Sequence, residues 1–219
     1  MQARLLFDVA PPNADATAEA AFNAQPLFAD LLSQAAAPRV ERTNARRTAS
    51  ARWTSNGLLI RVPARWHTQD QQNAITELTQ RLQHSLQKDL TLLTHAATWP
   101  TLTFEDNGSL SRYVSRLNYD TYKVAFSKAR IGNAVSTRLA QANITTGTIT
   151  VSRYCLHQAP AHALRYLILH ELAHFIEANH SRRFWALVAQ HEPQYRLMNQ
   201  IMQAHHKLSA LRANAAQIE

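Results

Sequence analysis

The clearest pattern of apolar and polar positions lies in the last third of the chain. Apolar residues there recur three and four positions apart, the spacing that places side chains on one face of a helix. They are Leu164, Leu167, Ile168, Leu172 and Phe175. Pro160 stands where this helix would begin, and Pro193 divides a second helix from a last one that ends near Ala215. The pattern predicts that the chain after Pro160 is helical.

The preceding residues have a different pattern. Residues 45–66 alternate as a β-hairpin does, with a turn at Ser55, Asn56 and Gly57. Residues 71–89 are spaced as an amphipathic helix. Residues 113–156 favour β structure, with strands expected at 122–126, 135–139 and 148–156 and a turn at 145–147. Strands followed by helices predict an α+β fold.

The N-terminal segment differs in composition from the rest. Residues 1–37 are rich in alanine, and Pro26 separates two short stretches with helical character. We therefore expect an appended N-terminal arm at residues 1–40, followed by one catalytic domain at residues 41–219.

Candidate chemistry is concentrated in one helix of this domain. His170 and His174 are four residues apart, so a helix places both imidazoles on one face, where they can bind the same metal ion. Glu171 lies beside that face, where its carboxylate can reach a metal-bound water without being a ligand. His180 supplies a third nitrogen. Three protein ligands and an open position are typical of catalytic zinc sites, so the spacing predicts a zinc hydrolase.

His180 can reach this site only if the chain leaves the helix before it. A straight helix would rotate His180 about 240° away from the face of His174. We predict that the helix ends at Asn179, which tolerates a left-handed conformation, and that Ser181 caps the next helix. Glu177 and Glu192 are the rival third ligands.

These residues carry a family resemblance. The chain resembles the YgjP-like metallopeptidases, of the wider SprT, Spartan and WLM group of zincins, in the following positions: Pro160, Tyr166, His170 to His174 (HELAH), Asn179, His180, Ser181, Phe184, Trp185, Pro193 and Tyr195. Weaker likeness extends over about residues 45–200. The resemblance implies a zincin-like fold, in which a small antiparallel or mixed sheet packs on the HExxH helix and C-terminal helices follow. It also implies zinc bound by His170, His174 and His180, with Glu171 as general base.

The chain is strongly basic. Its formal net charge is +8, and 19 of its 23 basic residues are arginines. Five of them cluster near the N-terminus: Arg39, Arg42, Arg46, Arg47 and Arg52. Arginines match phosphate oxygens, but no nucleic-acid-binding motif accompanies the charge. We therefore expect weak, non-specific binding of nucleic acid.

Composition also bounds the cellular compartment. The N-terminus lacks the pattern of a signal peptide, and no apolar run approaches the length of a membrane span. Cys155 is the only cysteine and cannot form an internal disulfide. We expect a cytoplasmic protein that does not enter a membrane, with Cys155 as a packed thiol.

The sequence thus predicts a zinc-dependent metallopeptidase that acts on peptide or protein substrates. The strand at 148–156 is expected to pair with an extended substrate as the edge of its sheet. Phe184 and Trp185 are expected in the core. The alternative is a basic DNA-associated protein, either a crosslink protease of the SprT and Spartan kind or a binding module with a mainly structural metal site.

Overall fold

The computed structural model describes residues 38–44, 47–54, 57–133 and 138–215. The helices are α1 (Thr68–Ala96), α2 (Asn107–Asp120), α3 (Ala161–Ala173), α4 (Arg182–His191) and α5 (Tyr195–Ala215). The strands are β1 (Arg39–Thr43), β2 (Ser50–Thr54), β3 (Gly57–Pro63), β4 (Thr101–Leu102), β5 (Lys128–Gly132), β6 (Ala140–Asn143), β7 (Thr148–Ser152) and β8 (Ala159–Pro160). Residues 1–37 of the predicted arm and residues 134–137 of a predicted strand lie outside the described residues.

The first sheet joins the predicted hairpin to a long helix. Strands β2 and β3 pair antiparallel, as expected, and β1 adds to β3 in parallel. Helix α1 extends past both ends of the predicted segment 71–89. Its apolar side chains cover the buried face of β3, because Leu58, Ile60 and Val62 form a cluster with Ile75 and Leu78. This unit precedes the part of the chain that carries the candidate site.

The sheet nearest that site has the order β5-β7-β6. Strand β7 is central, parallel to β5 and antiparallel to β6. The predicted turn before β7 is confirmed, and Gly147 adopts φ +65° there. A Cβ at this position would lie 3.1 Å from the backbone nitrogen of Ser127, so the turn requires glycine.

The expectation that residues 148–156 form an edge strand is wrong. Strand β7 ends at Ser152, a short 3-10 turn follows over Arg153–Cys155, and β7 has a partner on each side. The two outer strands of this sheet are β5 and β6 instead. Of these, β6 lies against helix α3.

Residues 113–126 also differ from the prediction of β structure. Residues up to Asp120 belong to α2, whose first turn is capped by the Asp106 carboxylate, which accepts hydrogen bonds from the backbone nitrogens of Gly108 and Ser109. Beyond the helix, residues 122–126 are irregular. The Asn118 side chain there bonds both the nitrogen and the carbonyl oxygen of Val124, replacing a strand partner. Local capping outweighed the β propensity of these residues.

Helix α3 lies at the centre of the main core. Nine of its 13 residues are buried, which is typical of a helix with neighbours on all sides. It packs against α2, α4, α5 and β6. The predicted helices after Pro160 are confirmed, and the whole is α+β, compatible with a zincin-like fold. None of the helices in the described residues is long and apolar enough to cross a membrane.

Candidate metal centre

The end of α3 carries the first two candidate ligands. His170 lies in the last turn of this helix, and His174 follows its final residue with helical angles, φ −63° and ψ −22°. The two imidazoles therefore remain one turn apart on one face. Their ring centroids are separated by 5.0 Å.

The chain then leaves the helix earlier than predicted. Helix α3 ends at Ala173, not at Asn179. The backbone nitrogens of Phe175 and Ile176 bond to carbonyls three residues back, at 3.1 and 3.0 Å, which tightens the last turn. Among the described non-glycine residues only Lys123 and Gln158 have positive φ, so the expected left-handed exit is also wrong.

The exit leads directly into helix α4. Ser181 caps it as predicted, with its hydroxyl accepting from the Phe184 nitrogen at 3.3 Å. The residue before the cap, His180, is thereby turned back toward α3. Its Nε2 lies 3.0 Å from Nε2 of His170.

Three imidazoles converge at this point. One nitrogen each of His170, His174 and His180 lies within 4.8 Å of the others, and this is the only such His, Cys, Asp or Glu group within the described ranges. A tetrahedral zinc ion with bonds of 2.0–2.1 Å holds two ligand nitrogens roughly 3.3 Å apart. The distance between His170 and His180 is close to that value, so these residues fit a zinc ion.

The opposite ring nitrogens of the two helical histidines have oxygen neighbours. In the tautomer protonated on Nδ1, His170 faces the Tyr166 hydroxyl at 3.5 Å and His174 faces the Glu177 carbonyl at 3.4 Å. Both contacts are long, but they leave Nε2 of each ring for a metal. Burial, followed by the charges of His174 and His180, lowers the pKa of His170 to about 3. Burial also lowers the pKa of His174. Both shifts favour neutral imidazole, the form that binds metals.

Glu171 lies on the side of α3 that faces β6. It is 5% exposed. Burial raises its pKa to about 7, against opposing effects from the Ala142 backbone N–H, which hydrogen-bonds the carboxylate, and from the charge of Arg138. A carboxylate with this pKa is suited to accept and release a proton near neutral pH.

Aromatic rings support the three imidazoles from α4. Phe184 is fully buried, with its ring centroid 4.6–4.9 Å from the three imidazole centroids. The expectation that Phe184 is a core residue is confirmed. Trp185 is only partly buried and stacks on His180, at 5.5 Å and 23° between planes. Its other neighbour is Tyr195, at 5.0 Å and 18°.

The other side chains that were considered from the sequence face elsewhere. The Glu177 carboxylate lies 4.0 Å from Arg183, and the Glu192 carboxylate lies 3.5 Å from Arg165. Neither joins the histidine cluster.

A cavity of about 260 Å³ opens beside His170 and Glu171. Its remaining lining comes from the two residues before β6 and the first residue of that strand, from α3 and from α5: Arg138, Leu139, Ala140, Tyr166, Leu167 and Asn199. Sequence reasoning assigned no role to Arg138 or Asn199. Only the packing of three distant segments brings them to the site.

The α+β fold, the converging imidazoles and the buried neighbouring carboxylate are together typical of metallohydrolases. Residues 107–205 match the family model of the YgjP-like metallopeptidase domain. The resemblance predicted from the sequence is thus confirmed over this segment, which runs from α2 into α5. The match supports a zinc metallopeptidase in general. No curated protein and no solved structure gave a significant match to the chain.

Proposed function

We propose that the protein is a zinc-dependent metallopeptidase in which His170, His174 and His180 hold the metal and Glu171 is the general base. The observation that carries this proposal is the convergence of three imidazoles beside a buried carboxylate one residue along the same helix. A structural zinc site does not require such a carboxylate, whereas hydrolysis of a peptide bond does.

The chemistry divides between the metal and the chain. A bound zinc ion would acidify the attacking water and polarise the scissile carbonyl. Glu171 accepts a proton from that water and delivers it to the leaving amine nitrogen. The Glu171 side chain is buried between α3 and β6, and the Ala142 backbone N–H on β6 interacts with its carboxylate.

Strand β6 is the part of the sheet suited to bind an extended substrate. Among the described residues, β7 is the one strand that pairs with it, and the Ala142 N–H points to Glu171. The side of β6 away from β7 therefore faces the proposed base. A peptide added to this edge would present its backbone beside Glu171.

The basic surface gives less support to the alternative function. In the N-terminal cluster, Arg39 forms an ion pair of 2.6 Å with the Glu41 carboxylate. Arg61, outside the cluster, pairs with the same carboxylate at 2.8 Å. Arg42 donates a hydrogen bond of 2.8 Å to the Gln71 side chain. Arg46 lies outside the described residues. Weak nucleic-acid binding stays a prediction, with no contact that favours it as the main activity.

Metal analysis of the purified protein tests the ligand assignment. We expect about one zinc per chain, most of it lost in His174→Ala and retained in the matched control His157→Ala, because His157 is exposed and outside the cluster. Retention of zinc by Glu177→Gln and Glu192→Gln would exclude the rival ligands. A wild-type protein that is folded but binds no zinc would overturn the proposal.

Substitution of the proposed base separates binding from catalysis. Glu171→Gln preserves shape but removes basicity, so we expect zinc to be retained and hydrolysis of an unfolded protein substrate to fall about a hundredfold or more. Glu177→Gln is the control for loss of a neighbouring carboxylate. Equal hydrolysis by Glu171→Gln and wild type would show that Glu171 is not the base.

A further inference from the structure

The cavity beside the proposed reaction centre has a defined direction. Tyr166 and Leu167 lie one helical turn before His170 and Glu171 on α3, and all four line it. The cavity therefore begins at the candidate metal centre and extends toward the N-terminal end of α3. Residues 138–140, which lead into β6, and Asn199 of α5 line its other sides.

The direction of β6 indicates which substrate residue the cavity receives. Strand β6 runs from Ala140 to Asn143, so a peptide paired antiparallel to it runs from Asn143 toward Ala140. The Ala142 N–H bonds Glu171, which places the cleaved bond near Ala142. The cavity lies at the Ala140 end and thus beside the substrate residue on the carboxyl side of that bond.

The size and polarity of the cavity restrict that residue. Its volume of about 260 Å³ is below the roughly 300–1,000 Å³ of pockets that enclose a whole drug-sized ligand, so it suits one side chain. Arg138, Asn199 and Tyr166 are residues of its lining that carry polar groups. Apart from Glu171, no acidic side chain of the described residues lines it.

Arg138 lines this cavity together with Glu171, and its charge lowers the pKa of that carboxyl group without a direct ion pair. Its Nη1 donates to the neutral Gln141 side chain at 2.6 Å. In the described ranges, no carboxylate forms an ion pair with it within 4.0 Å. A guanidinium with unused donors on an open cavity favours a carboxylate, which it can bind through two parallel hydrogen bonds.

We propose that Arg138 makes the enzyme selective for a carboxylate on the residue that follows the cleaved bond. The carboxylate belongs to an aspartate or glutamate side chain, or to a free C-terminus one residue beyond the bond. This inference rests on the proposed peptidase function for the position of the bond, but binding can test it separately.

Hydrolysis of matched peptides tests the selectivity. The peptides are quenched-fluorescent, have amidated C-termini and differ only at the residue after the cleaved bond, which is Glu, Gln or Lys. A charge-assisted hydrogen bond favours Glu over Gln by about tenfold in kcat/KM. Arg138→Met should make the kcat/KM values of the Glu and Gln peptides equal, and Arg138→Glu should favour the Lys peptide.

A further peptide distinguishes the two sources of the carboxylate. It ends in alanine with a free carboxyl group directly after the cleaved bond, and its amidated form is the control. Two ratios of kcat/KM are compared: free acid over amide, and Glu peptide over Gln peptide. If the first ratio is larger, the cavity binds a free C-terminus. If the second is larger, it binds acidic side chains. Arg116→Met controls for loss of a positive charge, because Arg116 is exposed on α2 and pairs with Asp120.

Several outcomes would overturn the proposal. They are equal rates for Glu and Gln peptides in wild type, a Glu preference that survives Arg138→Met, and a preference for Glu before the bond instead of after it. If no peptide is cleaved, the proposed function fails, and binding then decides the role of Arg138. The Glu peptide should bind Glu171→Gln about tenfold more tightly than the Gln peptide does, with or without zinc, and equal binding would refute it.

Discussion

The stack of Trp185 on His180 allows a quantitative prediction for metal affinity. His180 is exposed and lies outside the helices, whereas His170 and His174 are partly buried at the end of α3. The His180 ring stacks on Trp185, and its centroid lies 4.8 Å from the centroid of the Phe184 ring. Removing the Trp185 ring in Trp185→Ala should therefore let His180 leave the position in which its Nε2 faces His170.

The expected size follows from the energy of such ring pairs. An aromatic stack contributes about 0.5–1.5 kcal/mol, and each 1.4 kcal/mol changes an equilibrium constant about tenfold. Zinc affinity should thus fall about two- to twelvefold in Trp185→Ala. His180→Ala should lower the affinity much more, because it removes a proposed ligand and not only its support.

Competition with a chromophoric chelator measures these affinities. Trp185→Phe keeps a stacked ring and should bind zinc within about twofold of wild type, and Tyr195→Phe should show no change. Thermal unfolding of the metal-free variants verifies that each is folded. Wild-type affinity in Trp185→Ala would refute the orienting role, as would a loss equal to that of His180→Ala in a folded protein.

Three further predictions concern the core. Phe184→Ala should lower the free energy of unfolding by about 3–5 kcal/mol, because Phe184 is fully buried, and an unchanged urea midpoint would contradict this. The Cys155 thiol is 0% exposed and burial raises its pKa, so a thiol reagent should react with it only after unfolding, and rapid reaction with native protein would show that the core opens there. Burial raises the pKa of Tyr113 to about 12 from its ordinary 10. The neutral phenol therefore stabilises the fold fully below pH 10, and this contribution is lost as the pH rises to about 12. Denaturant titrations across that window should show a smaller loss of stability in Tyr113→Phe than in wild type, and equal losses would contradict the assignment.

Helix α3 and the start of α4 could be predicted because their signals are local. The apolar spacing, Pro160 at the start of α3 and the Ser181 cap each act within a few residues of the structure that they determine. The sequence predicted that the chain leaves α3 before His180, but it did not predict where the helix ends or which backbone conformation ends it. The helix ends in a tight turn with hydrogen bonds from the nitrogens of Phe175 and Ile176 to carbonyls three residues back, not in a left-handed residue at Asn179. The side chain of Asn179 does not indicate which of these two endings forms.

Other features depend on contacts between distant residues. Strand β7 was expected at an edge because its sequence does not show that β5 and β6 flank it. Arg138 reaches the candidate site only because β6 folds against α3. Helix α2 is a different case, because its Asp106 cap is a local signal in the sequence. The β propensity of the residues from Tyr113 onward predicted a strand there, and the cap outweighs that propensity.

The position of Phe184 has a consequence for engineering and evolution. One side chain at the centre of the core contacts all three imidazoles, so metal preference and folding cannot be tuned independently through it. A smaller residue at Phe184 that enlarged the candidate site would also destabilise the core and so lower the amount of folded protein. Substitution of Trp185, which is only partly buried, would alter the surroundings of His180 with less effect on the core than substitution of Phe184.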